Sequence, residues 1–432
     1  MIGFIQCVQR RKRSSRQVFG AVDLGSSKII VLVAEHQGDS LRIIGAGEEK
    51  SVGIRQGVIV DSLASAEALG RAVAKAEAAA DVWLERIFLS LSGRHVGGCR
   101  HEGLVRVGGV DGRVSEEDLA NATALSRART LPKGRCLIHH MPGEWNLDGK
   151  RLRDAAGLSG ELLRRGSWIV DADAARVSDI LHQTSSLGLQ VQQVVLAGLA
   201  SAAAVTIPDE RIAGVLVVDL GAGTTDYALY RNGFAVRAGV VGVGGDHVTK
   251  DLSVALRLST AEAESVKRLF GRAQCLARRD DKVWLSDERG VGGRRAGRLG
   301  IEQVVTARVR EILSIVRHQL GPDYAPEELR AGVVITGGMS ALPGILPAAV
   351  SVFGAGVRAG LPSEWLGQHL AEPGYSTVSG ALLEGCRLQF QNPFAPPAPL
   401  HIRLLQSMDY ILRPGDPRAA FPVLRRTTTD AR

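Results

Sequence analysis

The strongest constraint on this chain is a motif written twice, about 200 residues apart: an apolar run, an aspartate, and a tight turn of Gly, Ser and Thr. The first copy is Val22-Asp23-Leu24-Gly25-Ser26-Ser27-Lys28, running on into Ile29-Ile30-Val31. The second opens with Val215 to Val218, turns through Asp219-Leu220-Gly221-Ala222-Gly223-Thr224-Thr225-Asp226, and continues as Tyr227-Ala228-Leu229. Each apolar run predicts a buried strand, the glycines permit a sharp reversal, and a second strand follows. Such a turn points unpaired backbone N–H groups outward, where they and the Ser or Thr hydroxyls can cradle a phosphate. An aspartate at the strand end can hold the waters of a bound Mg²⁺. Two copies a domain's length apart point to two similar domains gripping one nucleoside triphosphate from opposite sides.

At 432 residues the chain exceeds a single core, so roughly two to four domains are expected. A hydrophobic content of 45% excludes disorder as the main state. The net charge of +8 is uneven, with Arg10, Arg11, Lys12, Arg13 and Arg16 clustered near the start and more basic residues near the end. Basic termini fit an anionic surface such as membrane or nucleic acid, or are simply solvated tails. The five cysteines, Cys7, Cys99, Cys136, Cys275 and Cys386, are scattered without a C-x-x-C pair. A reduced cytosolic protein with no cysteine-based metal site is the expectation. No apolar run approaches the ~18 residues that span a bilayer. The short apolar start precedes its basic cluster, the reverse of a signal peptide, so the chain is expected on the cytoplasmic side.

Between the two motifs, Gly57-Val58-Ile59-Val60-Asp61 leads into an Ala-rich helix from Ser65 to Ala80, and Ile87 to Gly93 predicts a strand. From there to about Ser167 the texture changes to Gly turns and short strands with one charged helix near Ser115, which predicts a small inserted domain. Trp168 to Ala172, Ala174 to Ser186 and Val191 to Leu196 then alternate strand, helix, strand, the pattern of α/β layers. Beyond the second motif, Gly242 to Asp246 enters a helix, and Thr260 to Lys267 predicts another with Thr260 as its cap. Ala277 to Gly300 is a charged, Gly-rich excursion whose Arg294, Arg295 and Arg298 predict a solvated hairpin. Ala331 to Gly344 predicts a buried strand ending at Gly337-Gly338, where missing side chains let a flat ligand such as an adenine ring approach the backbone.

Together these elements resemble the actin, sugar kinase and heat-shock chaperone ATPase superfamily. Asp23 to Lys28 is similar to its first phosphate motif, Asp219 to Asp226 to the second, and Ile335 to Gly344 to the adenosine motif; Gly57 to Asp61 and Tyr375 to Gly380 resemble the connecting segments. Within it, Ile87 to Val96, Leu196 to Ala204, Glu372 to Thr377 and the insertion between Ser90 and Ser167 resemble the FtsA family of bacterial cell-division proteins. The resemblance covers roughly residues 17 to 391. It implies an α/β, actin-like two-lobed ATPase fold of duplicated ribonuclease H-like cores, with a small α+β domain inserted in the first lobe. The implied boundaries are a basic extension 1–16, a first core 17–86 plus 168–205, and the insertion 87–167. A second core at 206–244 plus 325–391, its small lobe 245–324, a Pro-rich linker 392–399 and a tail 400–432 complete the chain.

Carried over by that resemblance, Asp23 and Asp219 hold Mg²⁺ through water, Gly25, Ser26 and Ser27 meet the β-phosphate side of ATP, and Gly221, Gly223, Thr224 and Thr225 the γ-phosphate side. Glu264 and Lys267 meet ribose and adenine, and Gly337, Gly338 and Met339 close over the base. One departure bears on chemistry. Where chaperones and bacterial actins place a Glu or Gln that positions the attacking water, this chain has Ala197 followed by Gly198. Such positioning is worth about 10² to 10⁴ in rate, so slow hydrolysis or none is expected, and no catalytic residue is assigned.

The ends carry their own pattern. Asn392 to Pro399 predicts an extended linker reaching at most about 25 Å at ~3.1 Å per residue. Leu400, Leu404, Leu405, Met408, Ile411 and Leu412 share one helical face, stopped by Pro414-Gly415, and FtsA proteins similarly end in an amphipathic helix lying in the membrane interface. Met1, Ile2, Phe4, Ile5 and Val8 share a face as well, a second possible foot. The resemblance implies filament formation with other copies of the chain, contact with the tubulin-like protein FtsZ and later division proteins, and a peripheral place on the anionic inner face of the membrane. A pilus-assembly adaptor and a sugar or acetate kinase are the rival readings. Nucleic acid is disfavoured because aromatics are only 4% and none interleave with the basic clusters.

Overall fold

In the computed structural model residues 17–37, 40–286, 293–362 and 370–390 are described. The N-terminal basic cluster, the linker 392–399 and the amphipathic segment from Leu400 to Leu412 lie outside the described residues.

The first lobe starts with β1 (Gln17–Leu24), β2 (Lys28–Gln37) and β3 (Ser40–Lys50), a short hairpin of β4 (Ile54–Arg55) and β5 (Val58–Ile59), then α1 (Ser62–Ala80) and β6 (Arg86–Leu91). Asp61 caps α1 by accepting the Ala64 N–H at 3.0 Å, which sets the helix start three residues before the Ser65 expected from the Ala-rich run. Next come β7 (Val96–Arg106), α2 (Glu116–Arg127), β8 (Arg135–Leu147), β9 (Lys150–Leu152) and β10 (Leu162–Asp173). The chain returns through α3 (Ala174–Ser186), β11 (Gln190–Leu196) and α4 (Ala197–Val205). The second lobe holds α5 (Pro208–Ala213), β12 (Val215–Leu220), β13 (Thr225–Arg231), β14 (Phe234–Val241), α6 (Gly245–Leu256) and α7 (Thr260–Phe270). It continues with β15 (Lys282–Ser286), β16 (Gly293–Gly297), α8 (Arg298–Leu320), β17 (Val333–Thr336), α9 (Ile345–Phe353), β18 (Val357–Ala359) and α10 (Ser376–Phe390).

The two lobes repeat one sheet. In the first the order is β11-β6-β1-β2-β3, with β1, β2 and β3 antiparallel and β1, β6 and β11 parallel. In the second it is β14-β13-β12-β17-β18, again with an antiparallel meander beside two parallel strands. The strands beside the crossovers are buried on both faces, which is why β12 reads as a continuous apolar run. β7, β10, β8 and β9 form a separate antiparallel sheet, on which α2 seats Ala122 against Trp145, Leu147 and Leu163.

This arrangement moves the boundaries drawn from sequence. β6, expected to open the insertion at residue 87, pairs with β1 in the core sheet. Trp168 to Ala172, expected as a core strand, is the far end of β10, paired with β7 up to Ala172 and Val96. Its apolar texture has a different cause: Trp168, Val170 and Ala172 are buried where the inserted sheet meets the core. Two smaller readings change as well. Ser259, not Thr260, caps α7, accepting the Glu262 N–H while Glu262 returns the bond. Arg298 is not in a solvated hairpin; it opens α8, and its Nε donates to the buried Glu302 at 3.2 Å.

α4 and α10 hold the lobes together. Small residues let backbone meet backbone: a Cβ on Gly380 of α10 would lie 1.6 Å from the Ala200 carbonyl oxygen, and one on Gly198 would lie 2.6 Å from that of Tyr227 in β13. Val378, Ala381 and Leu382 of α10 are fully buried against Phe19 and Phe88. No helix among the described residues is long and apolar enough to cross a membrane.

Candidate nucleotide site

The ends of β1 and β12 present their turns to each other across the gap between the lobes. Asp23, Gly25, Ser26, Asp219, Gly221, Gly223 and Thr224 line one cavity of about 80 Å³, with Ala197 at the first turn of α4. The turns are in contact, since a Cβ on Gly223 would sit 2.3 Å from Ser26 Oγ. A nucleoside triphosphate needs more room, so the lobes must part to admit one. Two of the expected phosphate residues stand apart from this cavity. Ser27 is exposed, and the Thr225 hydroxyl is committed to the Val243 carbonyl oxygen at 2.8 Å.

Three carboxylates converge here. Asp23 Oδ1 accepts the Ser90 hydroxyl at 2.5 Å, yet burial, reinforced by the nearby Asp219 charge, pushes the Asp23 carboxyl up to about 6. Asp219 Oδ2 accepts hydroxyls from Ser201 and, at 2.8 Å, from Thr377; burial still raises it. Asp226 lies well above the ordinary range because of burial and the Asp219 charge, despite bonds from Ser92 at 2.9 Å and Thr224 at 3.1 Å. Its Oδ1 is buried with no partner. Buried carboxylates held this high require a proton or a cation. Among the described residues no three His, Cys, Asp or Glu side chains converge closely enough to ligate one metal ion directly. The donor set therefore fits a divalent cation held through its waters, by Asp23, Asp219 and the free oxygen of Asp226.

The far end is built from α6, α7 and the turn after β17. Glu264 and Lys267, one turn apart on α7, pair at 2.6 Å, and both bond Thr249 of α6. Burial pushes the Glu264 carboxyl up, but bonds from Lys267, Thr249 and Arg268 outweigh it and hold the group below the ordinary range. Lys267 Nζ also donates to the Gly245 carbonyl oxygen at 3.2 Å. A Cβ on Gly245 would lie 3.4 Å from Met339 Sδ and 3.5 Å from Lys267 Nζ, so the two expected base contacts meet over the start of α6. Gly337 has φ +85°, and a Cβ there would fall 2.1 Å from Asp219 Oδ1; Gly338 faces open space. The turn thus joins the base end to the phosphate end through one aspartate.

Several contributors carried little sequence signal. Ser90 and Ser92 follow the apolar run of β6 at the two-residue spacing of a strand, which was the available hint. Ser201 was hidden in an Ala-rich helix, and Asp226 closed the second motif without being singled out. The inserted sheet also reaches the site: His139 Nε2 of β8 accepts the Leu196 N–H at 3.0 Å, immediately before α4. Burial pushes that imidazole down to about 4, so it is a neutral acceptor.

Duplicated sheets with facing Asp-Gly turns and a helix pair at the base end define an actin-like ATPase fold. The chain superposes on PilM of a PilM–PilN type IV pilus biogenesis complex with a TM-score of 0.58 at 17% identity, covering 85% of this chain and 98% of that one. For MreB 5 of Spiroplasma citri bound to AMPPNP the TM-score is 0.51 at 14% identity, over 87% and 96% of the two chains. At these identities the likeness is one of fold. The chain belongs to the FtsA family of cell-division proteins. The model of cell division protein FtsA matches residues 216–380, and that of the SHS2 domain inserted in FtsA matches residues 93–170. The cell division protein FtsA of Neisseria meningitidis serogroup B is 31% identical over 386 residues, 88% of this chain and 92% of that protein. That of Escherichia coli is 30% identical over 387 residues, 87% and 91% of the two.

Proposed function

We propose that this chain binds ATP with Mg²⁺ between its lobes, assembles into filaments, and tethers FtsZ to the cytoplasmic face of the membrane at the division site. The observation that carries the nucleotide reading is the trio of carboxylates with raised pKa, two of them buried, at two touching phosphate turns. Asp23, Asp219 and Asp226 would hold the hydrated cation, which would neutralise phosphate charge. Ser26 and Thr224 would orient the phosphates, and Lys267, Glu264 and Met339 the nucleoside. The AMPPNP carried by the structurally similar MreB 5 supports this occupant.

Ala197 presents only a methyl group at the phosphate end, so this position offers no acceptor to orient water. That makes ATP a conformational ligand, binding the closed form more tightly than the open one. The same absence counts against a phosphotransferase. The small lobe 245–324 is the proposed FtsZ contact, and the inserted domain the contact for later division proteins or a neighbouring copy. Family membership is the support for both.

Liposome co-sedimentation with ATP tests the tether, comparing intact protein with a chain ending at Phe390 and one lacking residues 1 to 16. Loss of pelleting on C-terminal truncation is expected and assigns the anchor to Leu400–Leu412. Loss only on N-terminal deletion moves the anchor, and an intact chain that never pellets refutes the membrane role.

A further inference from the structure

We propose that Gln56 is a latch holding the phosphate end of the cleft shut, so that nucleotide exchange waits on its release; the exchange role rests on the nucleotide reading above. Gln56 and Gly57 form the two-residue turn joining β4 to β5, whose strands pair Arg55 with Val58. Both turn residues have positive φ, +50° and +69°, as a tight hairpin of this length requires. Asn, Asp or Gly adopts that backbone most readily. The chain instead keeps a longer amide in a strained position, and strain of this kind persists where surrounding contacts over-determine it.

Those contacts cross the cleft. Gln56 Nε2 donates to the Gly242 carbonyl oxygen at 2.8 Å and lies 3.3 Å from His247 Nε2, both in the second lobe. The hairpin is fixed to its own lobe by the Arg94 N–H bonded to the Gln56 carbonyl oxygen at 3.3 Å, and by Gly57 lying so close to Ser92 that a Cβ would be 2.4 Å from its carbonyl oxygen. Across the gap, His247 Nδ1 accepts the Gly244 N–H at 3.2 Å, at the start of α6. Lys267 bonds the next residue, Gly245. One side chain therefore links the hairpin beside the phosphates to the loop that leads into α6, the helix at the base end.

Position decides why this bond and not another acts as the latch. Ile54, Gly57 and Ile59 line the cavity, which makes the hairpin one of its walls, while the Gln56 side chain lies outside the lining. Phosphate bound in the cavity would replace the Ser92 contacts to Thr224 and Asp226, whereas the Gln56–Gly242 bond lies outside the cavity and can re-form once the lobes close again on the nucleotide. Release needs the lobes to separate, and separation breaks that bond.

The test measures stopped-flow release of a fluorescent ATP analogue, with Mg²⁺, from the full chain and from Gln56→Ala and Gln56→Asn. Both variants are expected to release it about tenfold faster, the effect of losing one charge-neutral hydrogen bond with its interlobe restraint. Asn suits the positive φ but is one methylene too short to reach Gly242, so it retains the hairpin and should melt no lower than the parent. A folded Asn variant releasing at the parental rate overturns the latch. Amide hydrogen exchange of residues 52–61 without nucleotide, on the same proteins, provides an independent readout. Faster exchange in both variants is expected, and unchanged exchange overturns the proposal. If the parent takes up no analogue, the nucleotide reading fails, and the exchange result alone decides whether Gln56 holds the lobes together.

Discussion

Ser92 Oγ, one residue past the first lobe's β6, donates to Asp226 Oδ2 of the second lobe at 2.9 Å and lies 3.0 Å from Thr224 Oγ1. This bond satisfies one oxygen of Asp226 and leaves the other buried without a partner. Holding the group protonated costs free energy at neutral pH. Asp226→Asn removes that cost and is expected to raise the stability of the nucleotide-free protein by about 1–3 kcal/mol in urea unfolding. The same change should weaken Mg-ATP binding about tenfold or more in calorimetry, because the cation loses a charged acceptor. A variant that is less stable and binds normally would contradict the cation role.

Asp23 gives the site a pH dependence of definite sign. Its carboxyl is pushed up to about 6 in the folded protein, well above the ordinary aspartate value of about 4. The folded state therefore binds the proton more tightly, so this group's contribution to stability falls as pH rises from about 4 to about 6 and is fully lost above that window. Two pKa units correspond to about 3 kcal/mol. The stability of Asp23→Asn relative to the parent, without nucleotide, should be near zero at pH 4 and grow to about +3 kcal/mol by pH 7.5. Mg-ATP should reverse the order at pH 7.5. A difference that stays flat across this range would mean that Asp23 titrates normally.

Ala197 lines the cavity at the first turn of α4, from which a longer side chain would reach phosphates bound as proposed. Ala197→Gln supplies the missing acceptor. Phosphate release is expected to rise by about 10² if orienting water is the only deficiency. Steady-state turnover with excess ATP measures it, alongside analogue affinity to confirm that the larger side chain does not block the pocket. Unchanged turnover with intact affinity would place the deficiency elsewhere.

What could be read from the sequence divides along physical lines. The two Asp-Gly turns, the Gly-Gly turn and the pairing of Glu264 with Lys267 were legible because their geometry is local, spacing within one turn fixing which atoms can meet, while their nucleotide roles rest on the family resemblance. Ser92 and Asp226 meet across 134 positions, Gln56 and Gly242 across 186, and nothing in either segment announces its partner. The domain boundary shows the same limit. Trp168-Ile169-Val170 has the texture of a core strand whichever sheet it joins, and only pairing with β7 and β8 assigns it to the insertion.

Asp323 shows how the inserted domain is fastened, and its two arginine partners should differ sharply in value. Arg237 Nη1 donates to it at 2.8 Å from a mostly buried position, with its guanidinium 4.4 Å from the centre of the Trp168 ring. Arg100, from β7 of the insertion, approaches at 3.2 Å, with 59% of its side chain exposed. An exposed pair is screened by salt and contributes less than about 1 kcal/mol, whereas breaking a desolvated pair strands a buried charge. Arg237 Nε is itself buried without a partner, so the guanidinium already lacks one of its hydrogen bonds. Double-mutant cycles in urea should therefore give a coupling of about 1–3 kcal/mol for Arg237→Met with Asp323→Asn, and under about 0.5 kcal/mol for Arg100→Met with Asp323→Asn. Raising salt from about 0.05 to 0.5 M should erase the second coupling and leave most of the first. Equal couplings, or equal salt dependence, would show that Asp323 is paired no more strongly with the buried arginine beneath Trp168 than with the rim arginine of the insertion.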